Sequence, residues 1–251
     1  MNRLAVLSLH TSPLVQPGSG DSGGMNVYVR ELISAFARLG RESTVFVRRT
    51  DLTTPEVVDV EPGFRVVHVT AGALNLSKEE LPEVVDQFAD QVANWIRKHG
   101  GFDGLLANYW LSGLAGHRLK HELDLPLTTV FHTLARVKAE TGDIEPQRRM
   151  DAETTVARCS DIILANSEEE AHQLVDLYGA DISRIEIVPP GVDHSLFSPG
   201  DQQEARNAIG LNGDPVLLFV GRIQPLKGVE LAIKTLANLK KYPNARLIIV
   251  G

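Results

Sequence analysis

Cysteine is almost missing from this chain: Cys159 stands alone, which excludes an intramolecular disulfide and fits a reducing compartment. Its Ala-Arg-Cys-Ser-Asp setting offers no activating base, so a buried helix residue is expected there rather than a nucleophile. Positive charge is outnumbered, with 25 Lys and Arg against 32 Asp and Glu. The formal net charge is -7, and Arg48-Arg49, Arg148-Arg149 and Lys240-Lys241 are too short to serve as polyanion tracts. Nucleic-acid binding is therefore not expected. No apolar run approaches membrane-spanning length, and the N-terminus enters a strand directly with no signal peptide ahead of it. Stable membrane insertion is excluded on this reading, and the cytoplasm is the expected location. The sequence also lacks a Gly-x-Ser-x-Gly elbow, a Walker loop and a His-Glu-x-x-His motif, which weakens hydrolase, NTPase and zinc-protease readings.

The chain does have enough apolar content for a sizeable core: 251 residues, 43% hydrophobic and 23% charged. Short apolar runs at 4–9, 44–47, 65–69, 104–107, 127–131, 162–165 and 185–188 read as strands. Helical stretches at 27–39, 79–98, 113–121, 147–158 and 168–178 alternate with them. In the first of these, Val27, Leu32, Ile33, Phe36 and Leu39 share a face and Gly40 stops the helix. Apolar strands separated by helices predict an α/β fold, a doubly wound parallel sheet covered on both faces. The dense prolines and glycines of Pro189-Pro190-Gly191-Val192-Asp193 and Ser198-Pro199-Gly200-Asp201 mark a linker. The expected domains are 1–195 and the beginning of a second at 196–251, with a helix at 202–209, a strand at 216–220, a helix at 229–239 and a strand at 245–250. A strand followed only by Gly251 reads as half a domain.

Ligands of such sheets sit at the carboxyl ends of the strands, where this chain keeps its unusual polar segments: 10–26, Tyr109-Trp110 and 132–138. The loop 11–24 is too long for a simple connection. Its Gly23-Gly24 pair at a helix start leaves backbone N–H groups for phosphate or sugar oxygens. The glycine spacing is not Gly-x-Gly-x-x-Gly, so a nicotinamide cofactor, and with it a Rossmann oxidoreductase, is not expected. His10 and His132 end the first and fifth strands at one rim. They lack a third ligand at useful spacing, so no metal is proposed, and nothing in the sequence points to Mg2+. Ser77 and Glu80 form a capping box before a helix, which leaves Lys78 a solvated charge; Arg148-Arg149 read the same way. In Val220-Gly221-Arg222-Ile223-Gln224-Pro225-Leu226-Lys227-Gly228, an arginine and a lysine flank a strand-to-helix turn. Such a turn suits an anion such as a diphosphate.

Five segments carry a resemblance over nearly the whole chain: LSLHTSPLVQPGSGDSGGMNVYV, LSKEELP, NYWLSGLAGH, FHTLARVKAE and GRIQPLKG. With the PPGVD linker, they resemble the family 4 retaining glycosyltransferases of the GT-B fold. The resemblance implies two Rossmann-like domains, acceptor-binding and nucleotide-sugar-binding, that close on a UDP-sugar. The implied reaction transfers a sugar, N-acetylglucosamine from UDP-N-acetylglucosamine, to an inositol phosphate, as in mycothiol biosynthesis. Arg222 and Lys227 would then clamp the donor diphosphate, with Gln16, Pro17 and Gly24 also near the donor. His10, Asp21, Ser22, Gly23, Gly24, Asn26, Lys78, Tyr109, Thr133 and Arg149 would hold the acceptor, Lys78 and Arg149 meeting its phosphate. His132 would lie near the transferred sugar. A sucrose-phosphate-synthase-like transfer to a sugar phosphate is the alternative within the class, and a non-catalytic sugar-phosphate-binding module the alternative outside it. A homodimer is compatible with either. Two segments depart from the family pattern: Asn108 replaces a histidine, and HTLARVKA replaces HTLGKVKN. The family's donor-site glutamate pair would lie beyond Gly251, so the expectation is a fragment, complete for the acceptor domain, partial for the donor domain and by itself almost inactive.

Overall fold

The computed structural model describes residues 2–16, 23–140, 142–211, 213–223 and 227–251. The chain divides into two compact units, Met1–Pro190 and Gly191–Gly251. The first is built on an eight-stranded sheet in the order β3-β4-β2-β1-β5-β6-β7-β8. Its strands are β1 (Arg3–Ser8), β2 (Glu42–Arg48), β3 (Val57–Glu61), β4 (Phe64–Val69), β5 (Gly104–Asn108), β6 (Leu127–Val130), β7 (Ile162–Ala165) and β8 (Ile185–Ile187). All neighbours run parallel except β3, which pairs antiparallel with β4.

Alternation along the strands shows why both faces must be covered. Ala5, Leu7 and Leu9 point to one side with Phe46, Leu105 and Ala107, against α2 (Val85–His99) and α3 (Tyr109–Leu123). Val6, Val45, Val47 and Leu106 point to the other, against Val29 and Ile33 of α1 (Gly24–Arg38). A strand with two buried faces is apolar at every position, which is how these runs read in the sequence. The exposed residues correct the expected face of α1. Val27 is 43% and Leu39 74% exposed, and the buried stripe centres on Val29 and Ile33.

The remaining helices are α4 (Ala135–Glu140), α5 (Gln147–Cys159) and α6 (Glu168–Tyr178). Two glycines let α3 sit close to its neighbours. A Cβ on Gly113 would fall 2.8 Å from Val156 Cγ1 of α5, and one on Gly116 2.8 Å from Leu127 Cδ1 of β6. Three departures from the sequence reading concern this unit. The hairpin strand β3 escaped notice because it is an exposed edge strand, half polar (VVDVE). The stretch expected to be a single helix from 79 is a 3-10 turn over Leu81–Val84 that leads into α2. Helix α3 begins at Tyr109, immediately after β5 and four residues ahead of the expected start at 113.

The second unit contains α7 (Gln202–Ala208), β9 (Val216–Val220), α8 (Val229–Asn238) and β10 (Arg246–Val250). Strand β10 pairs parallel with β9 in register from Arg246↔Val216 to Val250↔Val220. Apolar side chains stay in contact with solvent here: Leu218 is 65%, Val220 69% and Leu231 69% exposed.

Candidate active site at the carboxyl rim of the sheet

Helix α1 starts with Gly23 as its N-cap, and Asn26 at the third helical position accepts the Gly23 N–H through Oδ1 at 3.1 Å. The Asn26 amide also donates to Thr11 Oγ1 and to the Ser12 carbonyl, at 2.6 Å each. Asn26 is buried with its amide fully used, and it ties the loop after β1 to the head of α1. Among the described residues, nothing lies within 4 Å of where a Gly24 Cβ would be. Gln16 is exposed at the end of this stretch. Pro17, Asp21 and Ser22, also expected at the site, lie outside the described residues.

Strands β5 and β6 end side by side, and each turns into its helix through a non-glycine residue in a left-handed conformation. These are Tyr109 at φ 75° and His132 at φ 63°. Such backbone costs on the order of 1–3 kcal/mol per residue and concentrates at functional sites. Among the described residues, the only other non-glycine with positive φ is Asp124, which caps the end of α3. The His132 corner is pinned by two neighbours. The His132 Nε2–H donates to Asn108 Oδ1 at 3.0 Å, so Asn108 orients the rim imidazole. Tyr28 of α1 meets the His132 ring edge-on at 5.0 Å.

Tyr109 is the hub. The His10 ring lies against it at 4.5 Å, Lys78 Nζ is 5.8 Å from its centroid, and Arg149 Cζ is 5.1 Å away on the ring face. Four elements distant in the chain therefore converge: the end of β1, the segment before α2, the head of α3 and the first turn of α5. Lys78 and Thr133 are exposed, whereas Tyr109 and Arg149 are buried. Glu80 accepts the Ser77 N–H at 2.8 Å, which is the expected half of the capping box and holds the Lys78 turn. Arg148, by contrast, is an outward charge paired with Glu83 and the Glu79 carbonyl. Two open cavities, of about 310 and 480 Å³, lie elsewhere and are not lined by these residues.

Arg149 is held on three sides. Nε donates to Glu153 Oε1 and Nη1 to Glu145 Oε2, both at 2.8 Å, while Nη2 donates to Thr133 O and Oγ1 at 3.2 and 3.0 Å. Burial works against its charge, but Tyr109, Glu153 and Glu145 outweigh burial and raise its pKa. Glu153, fully buried, uses its other oxygen to accept the Ala135 N–H and the Tyr178 hydroxyl. Arg136 in turn donates to the Leu177 carbonyl and stacks on the Tyr178 ring at 5.1 Å. The sequence reading missed Glu145, Glu153, Arg136 and Tyr178. The Glu145-x3-Arg149-x3-Glu153 spacing, with three charges at helical i, i+4, was the available signal.

The two rim histidines are neutral at pH 7. Burial first, then the charges of Lys78, His132 and Arg149, bring His10 down to about 3, and burial brings His132 down to about 4. The site thus presents fixed cations, Lys78 and Arg149, beside uncharged imidazoles and an aromatic face, which suits a phosphate-bearing polar ligand. In the second unit, Arg222 follows β9 and Lys227 precedes α8. Both are exposed, and residues 224–226 between them are outside the described set.

The model for Glycosyltransferase Family 4 matches residues 22–196, and that for Glycosyl transferases group 1 matches 201–251. The chain belongs to glycosyltransferase family 4. It is similar to the D-inositol 3-phosphate glycosyltransferases of Xylanimonas cellulosilytica and Kribbella flavida. Each is 46% identical, over 99% and 98% of this chain and over 63% and 60% of those proteins. The chain thus spans about three fifths of the length of the curated relatives it matches. Among solved structures, sucrose-phosphate synthase from Thermosynechococcus elongatus matches with a TM-score of 0.89 at 28% identity. That match covers 100% of this chain and 62% of that one. Anabaena HepE in complex with UDP-glucose matches at 0.68 and 17% identity, over 98% of this chain and 60% of that one. The fold is that of the GT-B glycosyltransferases. No helix among the described residues is long and apolar enough to cross a membrane.

Proposed function

We propose that this chain carries the acceptor site of a retaining glycosyltransferase that moves N-acetylglucosamine from UDP-N-acetylglucosamine to an inositol phosphate. The observation that carries the reading is the placement of Lys78 and Arg149 over one aromatic ring, beside His10, at the carboxyl rim. The relatives' name, D-inositol 3-phosphate glycosyltransferase, supplies the acceptor. On this reading Lys78 and Arg149 meet the acceptor phosphate, and Tyr109 and Thr133 border the polyol. The backbone at Gly24 and the neutral His132 face the sugar being transferred. Arg222 and Lys227 bind the donor diphosphate, with Gln16 and Pro17 assigned to the donor and Asp21 and Ser22 to the acceptor. An acceptor hydroxyl attacks the anomeric carbon on the face the diphosphate leaves. The bond from that carbon to the diphosphate oxygen breaks, and the acceptor proton passes to the departing diphosphate. The protein's share is orientation and stabilisation of the leaving negative charge.

Calorimetric titration of the chain with inositol 3-phosphate tests the acceptor half. Removing one charged partner of a phosphate costs on the order of 1.5–3 kcal/mol, so Lys78→Ala is expected to weaken binding about ten- to hundredfold while leaving UDP affinity unchanged. Equal loss for both ligands would remove Lys78 from the acceptor site. Lys227→Ala is expected to do the reverse, lowering UDP affinity by a similar factor and sparing inositol phosphate. The structural likeness to sucrose-phosphate synthase favours one competing reading, transfer to a sugar phosphate. Tighter binding of fructose phosphate than of inositol 3-phosphate would decide for it.

A further inference from the structure

His117 and His121 lie one turn apart on α3, so their side chains leave the same face of the helix. Cys159, the last residue of α5, comes up against them. Its Sγ is 3.3 Å from His121 Nε2, and one donor atom from each of the three residues lies within 4.8 Å of the others. The two imidazoles meet edge-on at 5.1 Å. Helix α5 can come this close because α3 has Gly113 where it crosses Val156. His117 Nδ1 is buried without a hydrogen-bond partner among the described residues. Burial, then His121 and Lys120, hold the His117 ring below its ordinary pKa. The nearest lysine is already committed: Lys120 Nζ donates to the Cys159 carbonyl and to Asp161 at 2.8 and 2.7 Å.

We propose that His117, His121 and Cys159 form a three-ligand site for a borderline-soft divalent ion of the zinc class, which ties the end of α5 to α3. One thiolate and two imidazoles select zinc, cobalt or cadmium over the oxygen-seeking magnesium and calcium. Around a tetrahedral ion, with metal–nitrogen bonds near 2.0–2.1 Å and metal–sulfur near 2.3 Å, ligand atoms stand about 3.3–3.6 Å apart. The Cys159–His121 distance is already at that value, and His117, within 4.8 Å of both, has at most about 1.5 Å to close. The fourth position opens to solvent beside the exposed His121 and takes water. This site is separate from the rim residues and does not depend on the proposed reaction. It acts on the same two helices that carry Tyr109 and Arg149.

The test is titration of the reduced, chelator-treated full chain with Co2+. One equivalent is expected to give a thiolate-to-cobalt charge-transfer band and the intense visible bands of a four-coordinate ion, both abolished by Zn2+. Cys159→Ser is expected to remove the charge-transfer band. His121→Asn is expected to weaken binding about tenfold or more, with circular dichroism of both variants unchanged. Zinc at about a hundredfold excess over its Kd is expected to raise the unfolding midpoint by roughly 5–10 °C, and Cys159→Ser to abolish the rise. No band with folded protein at millimolar Co2+ overturns the site. So does a band, or a thermal shift, that both substitutions leave intact.

Discussion

Replacing Glu153 with alanine is expected to destabilise the first unit by about 3–5 kcal/mol, enough to consume a large part of a domain's net stability. The carboxylate is fully buried, and its oxygens serve Arg149, the Ala135 N–H and the Tyr178 hydroxyl together. Removing it leaves the Arg149 guanidinium buried with Glu145 as its one remaining carboxylate partner among the described residues, and strips the acceptor from two further donors. The loss is mostly the cost of what remains unpaired, so Glu153→Gln tells the two contributions apart. Glutamine keeps one acceptor oxygen for Arg149 but has no second acceptor for the backbone and phenol. It should recover part of the loss and no more. Urea unfolding monitored by circular dichroism is the measurement. A loss below about 1 kcal/mol in Glu153→Ala would show that the network tolerates its own removal and does not hold the α4–α5–α6 corner.

Acid should weaken the fold well above the range in which carboxylates titrate. His10 and His132 have folded-state values of about 3 and about 4, against an unfolded value near 6.5. Between those limits the unfolded chain binds protons that the folded rings refuse, so stability falls as pH falls. Above about pH 6.5 the two states carry equal protons on these groups and the dependence vanishes. Each ring contributes a limiting slope of about 1.4 kcal/mol per pH unit, or about 2 kcal/mol between pH 6.5 and 4.5. His68 and His117 are lowered mainly by burial and add to the same slope. Denaturant unfolding at half-unit steps across this window is the check. His10→Gln and His132→Gln should each flatten the profile, and an unchanged slope in both would mean that the imidazoles are protonated in the folded protein.

Much of the architecture was legible because it follows from local rules. Continuous apolar runs marked the buried strands, and their alternation with amphipathic stretches marked the crossover helices. Strand β3 was not legible: an exposed, half-polar edge strand of five residues does not stand out from a loop. Nor was α4, a helix of six residues whose first backbone N–H is satisfied by Glu153 from another helix.

The same division runs through the site. His10, Tyr109, Thr133 and His132 could be assigned to one rim from the sequence, since parallel strands bring their carboxyl ends to one edge. Resemblance, not pattern, singled out Lys78 and Arg149. What the residues themselves determined was the set of strands and helices and the edge where polar side chains collect. Folding alone decided that Lys78 and Arg149 meet over Tyr109, that Glu153 takes the Tyr178 hydroxyl, and that Cys159 reaches His117 and His121. The reason is range. Backbone geometry repeats every two or 3.6 residues and leaves its mark in the sequence. Contacts across 40 or 70 residues, by contrast, depend on the strand order and on which glycines let helices approach, and burial of the whole sheet sets both.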